Sequence, residues 1–275
     1  MTSKNKKIIP LPQLGNRAFA FDSHCHLDMT DYDDYREVVT RADAAGVKFI
    51  FSVGIDLPSS RAALDLANEF PGVYSSVGIH PHHVADAKES DYQQIAELAL
   101  HPKVKAYGEI GLDYVRNYAP RDVQIRHFRR QVELAKELEL PLIIHDREAH
   151  GDVMEILVGA GPFPKGGVMH CYSGDMELAK EVIGLGFYLS ITGVVTFAKS
   201  DMLQEVARLI PLDTLLVETD GPYLSPVPYR GKRNEPAYVL YAIAKIAELR
   251  GITPEEVARQ TSENAMRLFQ LESHL

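Results

Sequence analysis

Short apolar runs rich in Val, Ile, Phe and Tyr alternate along the chain with longer segments whose apolar positions recur at helical spacing. The runs are "AFAFDSH", "VKFIFSVGI", "VYSSVGIH", "VKAYGEIGLD", "LPLIIH", "GGVMHCYS", "YLSIT" and "TLLVETD". Helical patterns lie between them. In "DVQIRHFRRQVELAKELE", Ile125, Phe128, Val132, Ala135 and Leu138 share one face and charges fill the other. Two more helices, "EPAYVLYAIAKIAELRG" and "TPEEVARQTSENAMRLFQ", follow the eighth run. The second opens with Thr253 as N-cap, Pro254 at the first helical position and Glu256 completing a capping box. Eight strands alternating with helices in 275 residues predict a (β/α)8 TIM-type barrel. An open doubly wound sheet is the alternative, and the length and the count of eight favour the barrel. No linker, low-complexity tract or repeat divides the chain. Residues 18–275 are therefore expected to form a single domain behind a poorly ordered leader, residues 1–17.

Most of the predicted strands end in an ionisable group: His24 and His26, His80, Glu109, His145, His170 and Asp220. In a barrel the strand C-termini converge on the face where active sites sit, so these positions should meet in space. One such group alone would read as a hydrogen-bonded strand end. Six ends of this kind in one chain are better satisfied together by bound cations, because each unpaired buried polar group costs roughly 1–3 kcal/mol. His24 and His26 are two apart and so share a strand face, while Cys25 points the other way and reads as a small buried hydrophobe. Four imidazoles with Glu109 and Asp220 make a mixed nitrogen and oxygen donor set that exceeds the three protein ligands of one catalytic zinc. Two ions use the set better, and Glu109 is the natural bridge.

Composition changes little in this picture. With 45% hydrophobic and 24% charged residues the chain is ordinary globular, and a net charge of −9 argues against nonspecific nucleic-acid binding through global charge. Two cysteines are no disulfide framework and fit a reducing compartment. The N-terminus lacks the apolar region of a signal peptide, and no run is long enough to span a membrane. The expectation is a cytoplasmic protein, monomeric by default.

Taken in order, "SHCHLD", "GEIGLDY", "IIHDRE", "MHCYSG" and "ETDGPYL" resemble the motifs of the TatD family of metal-dependent deoxyribonucleases, amidohydrolase-like metalloenzymes, from about Phe19 to Leu271. Tyr172 stands where that family more often has Phe. The resemblance implies one metal held by His24, His26, Glu109 and Asp220, and a second held by Glu109, His145 and His170. It also implies a 3′–5′ exonuclease. The metals would be magnesium, manganese or zinc.

The function expected is hydrolysis of phosphodiester bonds in DNA, or RNA, by metal-activated water at a single-stranded end. Asp220 and Glu109 are the catalytic residues, with Asp220 as general base. His80 and His82 near the mouth, and Arg230, Lys232 and Arg233 in "PYRGKRN", are the expected phosphate contacts, with Arg116 and Arg121 as additions. Tyr114, Tyr223 and Tyr229 are candidates for stacking on bases. Two alternatives stand beside this reading: a metal-dependent deacylase or amidase on the same scaffold, and a non-catalytic, metal-stabilised nucleic-acid-binding protein.

Overall fold

The computed structural model describes residues 10–15 and 18–271. Most of the expected leader, and His274, lie outside the described residues. Eight strands form one parallel sheet in sequence order: β1 Ala20–Cys25, β2 Val47–Val53, β3 Val73–Val77, β4 Val104–Asp113, β5 Leu142–Arg147, β6 Gly167–Met169, β7 Phe187–Ile191 and β8 Leu215–Val217. Helices follow the strands: α1 Tyr35–Ala44, α2 Leu57–Glu69, α3 Glu89–Ala99, α4 Arg121–Glu137, α5 His150–Ala160, α6 Met176–Gly184, α7 Asp201–Leu209, α8 Val239–Arg250 and α9 Pro254–Leu268. The sheet curls into a nearly closed barrel. Its seam between β8 and β1 is made just past the strand ends, where Asp220 N–H donates to the His24 carbonyl at 2.9 Å and His26 N–H to the Gly221 carbonyl at 2.8 Å.

Two apolar layers hold the barrel. The outer one packs the helices on the strands, and α4 buries Phe128, Val132 and Ala135 against it as its periodicity predicts. The inner one joins Phe21, Phe51, Val53, Ala106, Ile143, Val168 and Leu216 with Ala265, Met266, Leu268 and Phe269 from the end of α9. Residues of six strands can meet in one cluster only inside the barrel. Phe269 lies 4.1 Å from Phe51 and 6.1 Å from Phe21, ring centroid to ring centroid. The far end of the barrel is thereby filled with hydrocarbon, and the strand C-termini are left to carry polar groups. The α9 capping box forms as expected, with Thr253 N–H donating to Glu256 Oε2 at 2.8 Å and Glu256 N–H to Thr253 Oγ1 at 3.2 Å.

Two polar residues on the inner face of α4 tie strand ends in place. Gln131 accepts from Ile79 N–H at 2.8 Å and donates to Ile79 C=O at 2.9 Å. Gln124 does the same for Asp113, at 2.9 and 3.1 Å. Each amide supplies the pairing a neighbouring strand would otherwise give, and so fixes the backbone just before His80 and at Asp113. Gln131→Ala removes both partners of a buried peptide group. It is expected to destabilise the fold by about 2–4 kcal/mol, read as an earlier urea-unfolding midpoint; an unchanged midpoint would contradict the assigned role.

Candidate metal centre

Side chains of a regular strand alternate between faces, so two residues on one face stand an even number apart. From Ile143 to His145 and from Val168 to His170 the separation is two, and the β5–β6 pairing runs without irregularity. From Phe21 to His24 and from Ala106 to Glu109 it is three. Both intervals contain a shift in pairing register: between Asp22 and Cys25 on β1, and between Tyr107 and Ile110 on β4. An extra residue in each strand turns His24 and Glu109 onto the interior face, a frequent role of bulges beside active sites. Beyond its bulge β4 runs close to β5. A Cβ on Gly111, at φ +146°, would lie 1.9 Å from the His145 carbonyl oxygen.

The result is a convergence of donors on one carboxylate. Glu109 Oε2 lies 3.3 Å from His24 Nε2 and 3.8 Å from His26 Nε2. Those two nitrogens are 3.3 Å apart, and Asp220 Oδ1 lies 3.8 and 3.5 Å from them. The other oxygen, Oε1, faces His145 Nδ1 at 2.7 Å, His170 Nε2 at 3.1 Å and His80 Nε2 at 3.4 Å. Glu109 is 2% exposed and His24 1%, so water cannot take over these partners. The structure therefore brings together all six residues expected from the strand ends, with His80 beside them. The donor chemistry fits divalent cations: the paired nitrogens of His24 and His26, aimed at the same two carboxylates, are satisfied in full only by sharing a positive ion.

Second hydrogen bonds decide which imidazole nitrogen carries a proton. His26 Nδ1 donates to the Val53 carbonyl at 3.2 Å, leaving the lone pair on Nε2. His170 Nδ1 donates to Glu218 Oε1 at 3.0 Å, again freeing Nε2. His145 Nε2 lies 3.3 Å from Asp113 Oδ2, which leaves Nδ1 toward Glu109. His80 is the opposite case. Its Nδ1 accepts from His82 N–H at 3.1 Å, so Nε2 bears the hydrogen. Burial pushes the His80 pKa down to about 3, so the ring is a neutral N–H donor at neutral pH. His82 Nε2 is bound to Asp113 Oδ2 at 2.7 Å.

These groups line a cavity of about 770 Å³ that also takes in Arg116, Tyr118, Arg147, Cys171 and Tyr223. The basic loop after β8 lies elsewhere. Arg233 pairs with Asp34 and donates to the Asp31 carbonyl at 2.7 Å, Arg230 sits 4.4 Å over the Phe197 ring, and Lys232 is exposed. None of the three lines the cavity among the described residues. Tyr114 and Arg121 are both bound to Asp152, and Tyr229 stacks on Tyr238 at 4.5 Å. Cys25 is buried beside Tyr32, as its parity implies. Cys171 reaches the cavity because β6 ends at Met169 and alternation stops there. Glu218, Asp113 and Arg147 are the site residues that strand-end reasoning passed over. All three stood inside the motifs "VETD", "GEIGLD" and "IIHDRE", but for Glu218 and Asp113 only a hydrogen bond across strands shows what they hold.

The sequence model of TatD related DNases matches residues 21–270. The chain belongs to the TatD family. It is 47% identical to the uncharacterized metal-dependent hydrolase YabD of Bacillus subtilis, covering 91% of this chain and 99% of that one. It is 37% identical to the 3′-5′ ssDNA/RNA exonuclease TatD of Citrobacter rodentium, covering 90% and 97%. Among solved structures, the TatD homologue YjjV from Escherichia coli superposes with a TM-score of 0.86 at 28% identity, covering 92% and 98%. This TatD protein is thus a metal-dependent hydrolase by family. Among the described residues, no helix is long and apolar enough to cross a membrane.

The close approach of β4 and β5 yields a paired test. Gly111→Ala places a methyl against the His145 backbone and is expected to destabilise by at least about 2 kcal/mol. Gly151→Ala, in α5 with open space around it, is expected to stabilise by up to about 1 kcal/mol. Urea denaturation of the two variants should shift the midpoint in opposite directions.

Proposed function

We propose that this TatD protein is a two-metal phosphodiesterase that removes nucleotides from the 3′ end of single-stranded DNA or RNA. The observation that carries the proposal is the division of Glu109: each carboxylate oxygen faces its own set of imidazoles. His24, His26, Asp220 and Oε2 would hold one ion, and His145, His170 and Oε1 the other. Two divalent cations, magnesium, manganese or zinc, would supply charge against the phosphoryl oxygens and acidify the attacking water. Asp220, beside His24 and His26 at the cavity wall, orients that water and takes its proton. His80 Nε2–H points to the same space and donates to a non-bridging phosphoryl oxygen. His82 and Asp113 hold the His80 and His145 wall in place. A cavity of about 770 Å³ has room for a few nucleotides of a strand end, which favours an exonuclease, and the named activity of the Citrobacter relative supports nucleic acid as substrate.

Metal-stripped protein should be inert, and magnesium or manganese should restore stepwise shortening of 5′-labelled single-stranded DNA from its 3′ end. Glu109→Ala should lose at least about a thousandfold in rate, since both ions lose a ligand. Asp220→Asn should also lose turnover while still binding at least one metal equivalent by calorimetry. Hydrolysis of a simple amide or ester with intact DNA, in every metal, would replace the nuclease by a deacylase.

A further inference from the structure

The cations at the rim of the cavity are Arg116, in the loop after β4, and Arg147, the last residue of β5. Arg116 and Arg147 line it and are exposed. The backbone fixes them as neighbours. Asp113 and Arg147 are register partners, and Tyr114 N–H donates to the Arg147 carbonyl at 3.0 Å. Asp113 Oδ1 then accepts the N–H groups of Val115 and Arg116, both at 2.9 Å. The carboxylates between them are engaged elsewhere. Asp113 Oδ2 holds His82 and His145, and Asp146, which also lines the cavity, is bound through Oδ2 to His150 Nδ1 at 2.7 Å.

The far wall has the opposite character. Met29, Ile55, Val194, Tyr223 and Leu224 follow β1, β2, β7 and β8, which the strand order places across the barrel from β4 and β5. Tyr223 is 50% exposed, and its hydroxyl meets the Met29 sulfur at 3.1 Å. The rim of the cavity is therefore two-sided: both guanidinium groups, with Tyr118, lie on one wall, and the other is apolar or aromatic. Arg147 stands two residues beyond His145 on the same strand face, about 6.6 Å along it. That step is comparable to one nucleotide repeat of an extended strand.

Resting on the phosphodiesterase reading above, we propose that Arg116 and Arg147 form a second phosphate site. It takes the phosphate adjacent to the scissile one, with a base against Tyr223 and Leu224. The preferred substrates are then chains bearing at least two consecutive phosphates, and isolated diesters are poor ones. Guanidinium suits such a site because it grips phosphate oxygens in pairs.

Two measurements test this. In the first, metal-free protein is titrated with a fluorescein-labelled single-stranded DNA oligomer and followed by anisotropy. Arg116→Ala and Arg147→Ala should each weaken binding by about tenfold or more, the scale of one charge-assisted contact. Each should also lower the slope of log affinity against log salt by about 0.7. In the second, magnesium-loaded protein is assayed on the oligomer and on the p-nitrophenyl ester of thymidine 5′-monophosphate, which has a single phosphodiester. The variants should lose about tenfold more kcat/KM on the oligomer than on the ester, mainly through KM, and Arg147→Lys should recover part of that loss. Arg230→Ala should move the oligomer less than either variant. Equal losses on the two substrates, an unchanged salt slope, or a larger effect from Arg230 would overturn the second phosphate site while leaving the hydrolase standing. Arginine-dependent binding without cleavage of either substrate would sink the phosphodiesterase reading and leave the site in place.

Discussion

A carboxylate buried at the mouth of a barrel must find positive charge within a few ångströms, and Glu109 finds imidazoles on both sides. Against burial, which would favour its neutral form, His170, His80 and His24 hold its pKa well below the ordinary range. The converse holds for His170. Burial alone would discharge it, and Glu109 with Glu218 keeps its pKa well above the usual value. Much of the surrounding structure serves to keep this carboxylate where neither water nor a surface lysine can replace its partners. The two bulges turn His24 and Glu109 inward, the absent side chain at Gly111 lets β5 approach, and Gln124 pins the end of β4.

Histidines and carboxylates crowd this mouth, yet their roles separate through a second set of bonds. His26, His145 and His170 each have one ring nitrogen at a carbonyl or carboxylate, so the other, turned inward, is the nitrogen on which a cation would take the place of a proton. His80 has its ring nitrogen filled by a backbone N–H and so presents a hydrogen. One residue type thereby presents both candidate ion ligands and an N–H donor, and the choice is made by hydrogen bonds on the outer side of each ring.

The barrel was legible because alternating periods of two and 3.6 need no knowledge of tertiary contacts: α4 buries the face its spacing marked, and each of the eight runs contains a strand. The six converging residues were legible because a parallel barrel sends all strand C-termini to one face. Parity served for His24 relative to His26, where only neighbours matter. It could not show that His24 and Phe21, three apart, share an interior, since a bulge is a property of two paired strands. Nor could a sequence separate Arg233 from Arg147. Both are arginines at or beyond a strand's C-terminal end, and it is the position of Asp34 that makes Arg233 a structural cation.

That last distinction bears on how the barrel closes. The β8–β1 seam is its thinnest joint, since β8 has three residues and the bonds across it lie at Asp220 and His26, beside the candidate metal ligands. Across this seam Arg233 binds Asp34, and Arg41 binds both Asp34 and Glu235, so the loop after β8 is clamped to the start of α1. Tyr32 adds a hydroxyl bond to the Asn234 carbonyl at 2.7 Å. His24, His26 and Asp220 come from the two strands that meet at this seam, and their spacing depends on its staying shut. Arg233, committed to the clamp, cannot also follow a moving substrate. The division of labour is therefore geometric: Arg233 and Arg41 beside the seam hold the candidate ligands in register, and the arginines across the barrel, at the ends of β4 and β5, are the ones placed for the proposed phosphate contacts.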